Sequence, residues 1–400
     1  MVSNILSLVK KDVRELRPYQ VENIPCRIKL DAMENPYHLP ESLLKKIVEG
    51  IGRIQINRYP DPHASRLKKI ISSQTGISVD NIIIGNGSDE LIQIILTAFG
   101  EKGDKVLFPI PSFSMYEIIA KSLSLITKGV TLDENWELPL DTFIDELERL
   151  NPKVIFIGYP NNPTGNCFSR ESILKIIEKA SGIVVIDEAY YDFSKKTFLF
   201  PPSEGGVCGG KKNLIILRTL SKIGMAGLRV GYLIADKDIC SELNKVRLPY
   251  NSNAVSQEIA SIILENRMEI DQQIDAIVSE RVRLMDNLKE MKGIQPFPSE
   301  TNFILFKTAK SSKEVFSKLL NDGILVRNFG NDFTPLYPPL NSADPSTATH
   351  PPDGCTVPRP PSEGGEGEVA RGELKGGFLR VTIGTPEENK KFLNGVKAIL

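Results

Sequence analysis

The chain has 400 residues, enough for one large domain with a deep core and a second, smaller lobe. Its 41% hydrophobic and 25% charged residues are the proportions of an ordinary globular protein, and 49 basic against 50 acidic residues leave a net charge of −1. That balance argues against a nucleic-acid binder or a protein drawn to membranes by charge.

The first sixteen residues, MVSNILSLVKKDVREL, hold too short an apolar run for a secretion signal, and no window is long enough to span a bilayer. From about residue 57 to 253, helical patterns alternate with short apolar runs. Residues 84–90 (IGNGSDE) lead into a helix expected over 89–99. Glycines before a helix start expose backbone N–H groups to an anion. Simple capping by Ser88 or Asp89 explains the isolated motif equally well.

Residues 105–109 (KVLFP) read as a strand and 112–122 as a helix. A strand at 154–159 (VIFIGY) runs into the turn YPNNPTG, which presents Asn162. Ser169 is placed to cap a helix over 170–180. The strand 183–187 (IVVID) ends on Asp187, either a helix cap or the partner of a cofactor's ring nitrogen. Strand and helix in alternation predict an α/β domain with a mainly parallel sheet, whose ligands bind at the carboxyl ends of strands.

The strand 214–217 is followed by Arg218-Thr219-Leu220-Ser221 and then Lys222. Burial lowers a lysine's pKa and frees an amine that attacks carbonyls, as a Schiff-base nucleophile must. The hydroxyls of Thr219 and Ser221, with Arg229, suit a phosphate beside it. A solvated lysine at a helix start is the ordinary alternative, and partners elsewhere in the chain decide between the two.

A helical stretch from 257 to about 292 precedes strand candidates at 302–306, 324–327 and 378–383. The expected division is residues 1–50 packing with a small α+β domain of residues 256–400, and residues 51–255 forming the large domain. Residues 331–377 are dense in Pro, Gly, Ser, Thr and Glu and read as a low-complexity insertion. The hexapeptide PPSEGG occurs there at 360–365 and again at 201–206, which suggests inserted repeat sequence without a catalytic role. Five cysteines (Cys26, Cys167, Cys208, Cys240, Cys355) show no CxxC pairing, and His38, His63 and His350 have no metal-ligand spacing. Reduced thiols in the cytoplasm are expected, and no metal site.

In order, LDAMENPYHLP (30–40), NRYPDP (57–62), GNGSDELI (85–92), PSFSMY (111–116) and YPNNPTGN (159–166) are followed by VVIDEAYYDF (184–193) and LRTLSKIGMAGLRVGY (217–232). VRLPYNSN (246–253), TNFILF (301–306), GILVRNFG (323–330) and LRVTIGTPEEN (379–389) complete the series. This set resembles the fold-type I pyridoxal-phosphate-dependent aminotransferases of class II, and among them the histidinol-phosphate aminotransferases. The likeness spans nearly the whole chain outside the two repeat-bearing stretches.

The resemblance implies pyridoxal 5'-phosphate as cofactor, with Lys222 bonded to it and acting as the catalytic base and acid. Asp187 would pair with the ring nitrogen, Asn162 and Tyr190 with the ring's phenolic oxygen, and Phe113 would stack on the ring. Gly87, Ser88 and Asp89, with Thr219, Ser221 and Arg229, would bind the phosphate. Tyr59 would reach the cofactor of a neighbouring subunit, which implies a homodimer. Arg380 would bind the carboxylate of glutamate or 2-oxoglutarate, Arg380 and Arg327 the phosphate of histidinol phosphate, and Tyr19 and Asn35 would line the substrate pocket.

The expected reaction is a ping-pong transamination of histidine biosynthesis. An aromatic or broad-specificity aminotransferase, or a threonine-phosphate decarboxylase of similar fold, are the alternatives within the enzyme class. A cofactor-binding regulator without turnover would be expected to lack Lys222 or Asp187, and both are present. Three features depart from the family pattern: Met33 stands where Asn is usual, Phe113 replaces the commoner Tyr, and the insertion separates Arg327 from Arg380.

Overall fold

The computed structural model describes residues 5–16, 24–200, 207–330 and 376–400. Both copies of PPSEGG, and residues 331–375 of the expected insertion, lie outside the described residues. The last two residues of that stretch, Gly376 and Gly377, instead open a strand.

After a short strand β1 (Ile28–Lys29) come β2 (Ile82–Gly85), β3 (Lys105–Ile110), β4 (Ile126–Thr131), β5 (Val154–Gly158), β6 (Ile183–Asp187), β7 (Leu214–Thr219) and β8 (Gly231–Ala235). The seven from β2 to β8 form one sheet in the order β2-β8-β7-β6-β5-β3-β4. β8 runs antiparallel to β2 and β7, and the other pairs are parallel. The α/β class with a mainly parallel sheet is therefore as expected.

Alternation along each strand divides the apolar side chains between two cores. Ile155, Ile157, Val184, Ile186 and Ile216 face one, and Val154, Phe156, Val185, Ile215 and Leu217 face the other. Helices cover both faces, so a strand such as β5 is buried along its whole length and reads as an unbroken apolar run.

A second sheet has the order β12-β13-β10-β9, from β9 (Ile294–Pro296), β10 (Phe303–Thr308), β12 (Arg327–Gly330) and β13 (Gly376–Thr382). The short β11 (Ile324–Leu325) pairs in parallel with β1 and ties the early chain to the residues that feed this sheet. Thus the expected strand at 324–327 is two, parted at Val326, because its halves serve different partners. The expected helix from 257 to 292 is likewise two, Ala254–Glu265 and Arg267–Glu290. Asn266 breaks them, with its side-chain amide donating to the Ile262 carbonyl at 2.7 Å.

Beneath the carboxyl ends of β6 and β7 lies a buried ion pair. Arg218 Nε and Nη2 donate to Glu188 Oε2 at 3.0 and 2.8 Å, with both residues 5% exposed or less. Glu188 also accepts from the Thr197 hydroxyl at 2.9 Å and the Phe198 N–H at 2.6 Å. The Arg218 guanidinium lies 3.6 Å from the centroid of the Tyr191 ring. Glu188 immediately follows Asp187, so this pair anchors the turn that carries the candidate site. No helix among the described residues is long and apolar enough to cross a membrane.

Candidate active site

Where the strands of the large sheet end, β3, β5, β6 and β7 deliver polar side chains to one cavity of about 220 Å³. Such a cleft forms because backbone groups at strand ends have no further ladder partners and the connecting loops diverge. Ten of the expected site residues line it. Ser88 and Asp89 come from the start of the helix Gly87–Phe99, Phe113 from after β3, and Asn162 from after β5. Asp187 and Tyr190 come from β6 and its turn, and Thr219, Ser221, Lys222 and Arg229 from β7 and the loop beyond it.

The helix starts at Gly87, two residues earlier than the expected 89. Its first N–H groups have no capping side chain at Asn86, so they remain available to an anion. Gly87 is at φ +83, and a Cβ there would come within 2.7 Å of the Arg229 guanidinium. A Cβ on Gly231 would come within 2.7 Å of the Gly87 carbonyl carbon and the Ser88 nitrogen. Gly231 is thus demanded by the close approach of the two loops, and Gly87 by its left-handed backbone. Arg229, itself left-handed at φ 54, donates to Asp89 Oδ2 at 3.0 Å across the mouth of this cradle. The Thr219 hydroxyl donates to Ser221 Oγ at 2.9 Å, so two hydroxyls sit side by side below it.

Asp187 is 6% exposed, with Oδ1 accepting the Ala189 N–H at 3.1 Å and Oδ2 accepting the Tyr116 hydroxyl at 2.7 Å. Burial pushes its pKa up to about 6, against the pull of those two hydrogen bonds and of Lys222, while Asp89 adds to the rise. In the folded protein the carboxyl therefore holds its proton more tightly than when unfolded. Its contribution to stability is present below the ordinary value of 3.8 and is lost as pH rises through about 6.

Lys222 follows β7 in a single 3₁₀ turn, with its amine 5.7 Å from the centroid of the Tyr190 ring. Burial, and then the charge of Arg380, lower its pKa to about 8, against Asp89, Asp187 and Glu34. At neutral pH about a tenth of the amine is free, a few hundredfold more than for an ordinary lysine. In cofactor-free protein, an amine-directed reagent is expected to label Lys222 with a midpoint near pH 8, followed by peptide mapping. A midpoint near the ordinary 10.5 would contradict the burial of the amine.

Asn162 Nδ2 donates to the Tyr190 hydroxyl at 3.2 Å, and that hydroxyl donates to Met33 Sδ at 3.4 Å. Burial raises the Tyr190 pKa, so the hydroxyl stays protonated. Met33 also lines the cavity, in the left-handed conformation at φ 54. Thr382 Oγ1 accepts its N–H, and the Asn302 amide donates to its carbonyl, both at 2.9 Å.

The other expected residues stand apart from the wall. Gly87 lies behind it, and Tyr59 is 81% exposed, stacked on Tyr250 at 4.5 Å. Asn35 is occupied by Gln273 at 2.9 Å and the Ile223 carbonyl at 3.4 Å. Tyr19 lies outside the described residues. Arg380 reaches the cavity through Asn162, whose Oδ1 accepts from Nη1 at 2.5 Å, and its Nη2 donates to the Asp31 carbonyl at 2.9 Å. Arg327 and Arg380 are direct cross-strand partners on β12 and β13.

Tyr116 is the residue that reading the sequence did not single out. It lies three residues beyond Phe113 in PSFSMY, and its link to Asp187 spans 71 positions. The only local signal is the helical spacing that sets it one turn from Phe113.

The chain is similar to known proteins over most of its length. The model of the family described as aminotransferase class I and II matches residues 27–334. The histidinol-phosphate aminotransferase of Thermoanaerobacter pseudethanolicus is 39% identical over 397 residues, covering 99% of each chain. That of Aquifex aeolicus is 37% identical, covering 98% of this chain and 97% of its own. Among solved structures, the histidinol-phosphate aminotransferase of Clostridium acetobutylicum superposes with a TM-score of 0.74 at 25% identity, covering 93% of this chain and 98% of its own. The Sinorhizobium meliloti structure, solved in complex with pyridoxal-5'-phosphate, has a TM-score of 0.73 at 20% identity, covers 94% of this chain and 91% of its own, and shares the fold.

Proposed function

We propose that this chain, which belongs to the aminotransferases of class I and II and among them to the histidinol-phosphate aminotransferases, moves the amino group of L-histidinol phosphate to 2-oxoglutarate. The products are imidazole-acetol phosphate and L-glutamate, and the reaction serves histidine biosynthesis. The observation that carries this reading is the meeting, in one cavity, of the pKa-lowered Lys222, the buried Asp187 and an anion cradle.

The residues fit pyridoxal 5'-phosphate as cofactor. Ser88, Asp89, Thr219, Ser221 and Arg229 would hold its phosphate at the start of the helix Gly87–Phe99. Asp187 would hold its ring nitrogen, Asn162 and Tyr190 its phenolic oxygen, and Phe113 one face of its ring. Bound there, the cofactor supplies an electron sink for the charge left when a substrate Cα loses its proton. Lys222 would anchor it covalently and hold and move the proton between the substrate Cα and the cofactor's C4′. Burial prepares the lysine for this by keeping a usable share of its amine free.

Arg380 would receive the carboxylate of glutamate, and Arg380 with Arg327 the phosphate of histidinol phosphate. Their register on adjacent strands suits an occupant of double negative charge. Tyr59, exposed in one protomer, would complete the phosphate site of a second copy in a homodimer. The protein would work in the cytoplasm.

Purified enzyme loaded with pyridoxal phosphate is expected to favour histidinol phosphate over phenylalanine and tyrosine by about 10²-fold or more in kcat/KM, with 2-oxoglutarate as acceptor. Equal or better turnover of the aromatic amino acids would overturn the substrate assignment. Release of labelled carbon dioxide from threonine phosphate would point to the decarboxylase instead.

A further inference from the structure

The carboxylate of Asp187 does not hold its own position. It sits at the last residue of β6, and each oxygen takes one hydrogen bond: Oδ1 from the Ala189 N–H and Oδ2 from the Tyr116 hydroxyl. The first donor is backbone and comes with the turn. The second is a side chain from the helix Met115–Ser122, which follows β3. We propose that Tyr116 is a positioning residue of this site, whose hydroxyl fixes the orientation of the Asp187 carboxylate and holds it as an anion. The inference rests on the proposed function, in which Asp187 serves the ring nitrogen of the cofactor.

Tyr116 is built for a fixed role. It is 1% exposed, and its ring stacks on Phe156 with centroids 4.6 Å apart and planes 7° from parallel. Phe113 meets it edge-on at 5.6 Å, and Phe108 lies 6.3 Å away. Locked on three sides, the ring delivers its hydroxyl to a single point. Burial and the neighbouring Asp187 raise the Tyr116 pKa well above the ordinary value, so the group is a permanent donor. The same turn of chain presents Phe113 to the cavity, so one element sets both the ring-stacking face and the support beneath the carboxylate.

The electrostatics make that donor consequential. Burial by itself drives Asp187 toward the neutral acid, and Asp89 pushes the same way. Tyr116, the Ala189 N–H and the Lys222 charge oppose them. Tyr190, also buried and protonated, faces Asp187 as well. Lys222 ceases to help once its amine is neutral, and the Ala189 bond is the longer of the two. Deleting the Tyr116 hydroxyl leaves Oδ2 a buried acceptor without a partner and raises the Asp187 pKa further.

The test uses the loaded enzyme with Tyr116→Phe, which keeps the ring and its stacking. The cofactor dissociation constant is expected to rise about tenfold. The acid limb of the kcat profile should move up by about one pH unit, so the loss shrinks as pH is raised, which a purely structural defect would not do. In cofactor-free protein, carbon-13 NMR of labelled aspartate should show the Asp187 carboxyl titrating higher than in the parent. Asp187→Asn is measured beside it. In the Asp187→Asn background the added Tyr116→Phe change should cost less than about twofold, because the hydroxyl acts through the carboxylate. Parental acid limb, carboxyl titration and cofactor affinity in Tyr116→Phe, with Asp187→Asn impaired, would overturn this inference alone. An unimpaired Asp187→Asn would overturn the reading of Asp187 and the inference with it.

Discussion

Lys222→Ala is expected to lower kcat by about 10⁴-fold or more, because it removes both the covalent anchor and the proton carrier at Cα. The methyl group of alanine reaches neither the cofactor nor the substrate, and no neighbour can stand in. Tyr190 is held protonated by burial, and Asp187 is committed to Tyr116 and Ala189. Cofactor affinity should fall much less than kcat, since the phosphate cradle, the carboxylate and the ring contacts remain. Borohydride reduction should fix pyridoxal phosphate to the parent protein and leave it dialysable from the variant. A variant that retains the cofactor covalently would show that another lysine is the nucleophile.

Arg218→Met should cost about 3 kcal/mol of stability or more, by leaving the Glu188 carboxylate buried without its cation. The two remaining donors, Thr197 and Phe198, satisfy its hydrogen bonds but not its charge. Because Glu188 follows Asp187 directly, the damage should reach the cofactor, and its dissociation constant should rise with the loss of stability. Chemical denaturation of the cofactor-free protein measures the first effect and fluorescence titration the second. Pairing the change with Glu188→Gln should recover much of the loss, since removing both charges leaves none uncompensated. A loss under about 1 kcal/mol for Arg218→Met alone would mean that water reaches Glu188.

Much of the site was legible in the chain because its parts are local. The glycines before the helix Gly87–Phe99, the turn after β5, the carboxylate ending β6 and the lysine following β7 each lie within a few residues of a strand end. Strand ends are readable because apolar runs stop abruptly where polar residues begin. The parallel-sheet rule then places all those ends on one edge without any knowledge of distances. Boundaries were less legible, as at Asn266, where an apolar pattern continues through a break made by one side-chain amide. The split at Val326 was hidden for a related reason: each half of that run answers to a different strand far away in sequence.

Composition and short-range pattern were sufficient for the α/β class, because it follows from propensity and period, whereas the roles proposed for Lys222 and the loop residues came from the resemblance carried by the ordered motifs. Pairing between distant segments required the folded chain. Only the antiparallel register of β12 and β13 sets Arg327 opposite Arg380, although residues 331–375 intervene between the strands. Only packing against Phe156 aims the Tyr116 hydroxyl at Asp187, across 71 positions of sequence. The pKa values of Lys222 and Asp187 belong to the same class of property. A lysine after a strand is a common pattern, but the burial that brings its amine to about pH 8 is a sum over neighbours from many segments, and it exists only once they have come together.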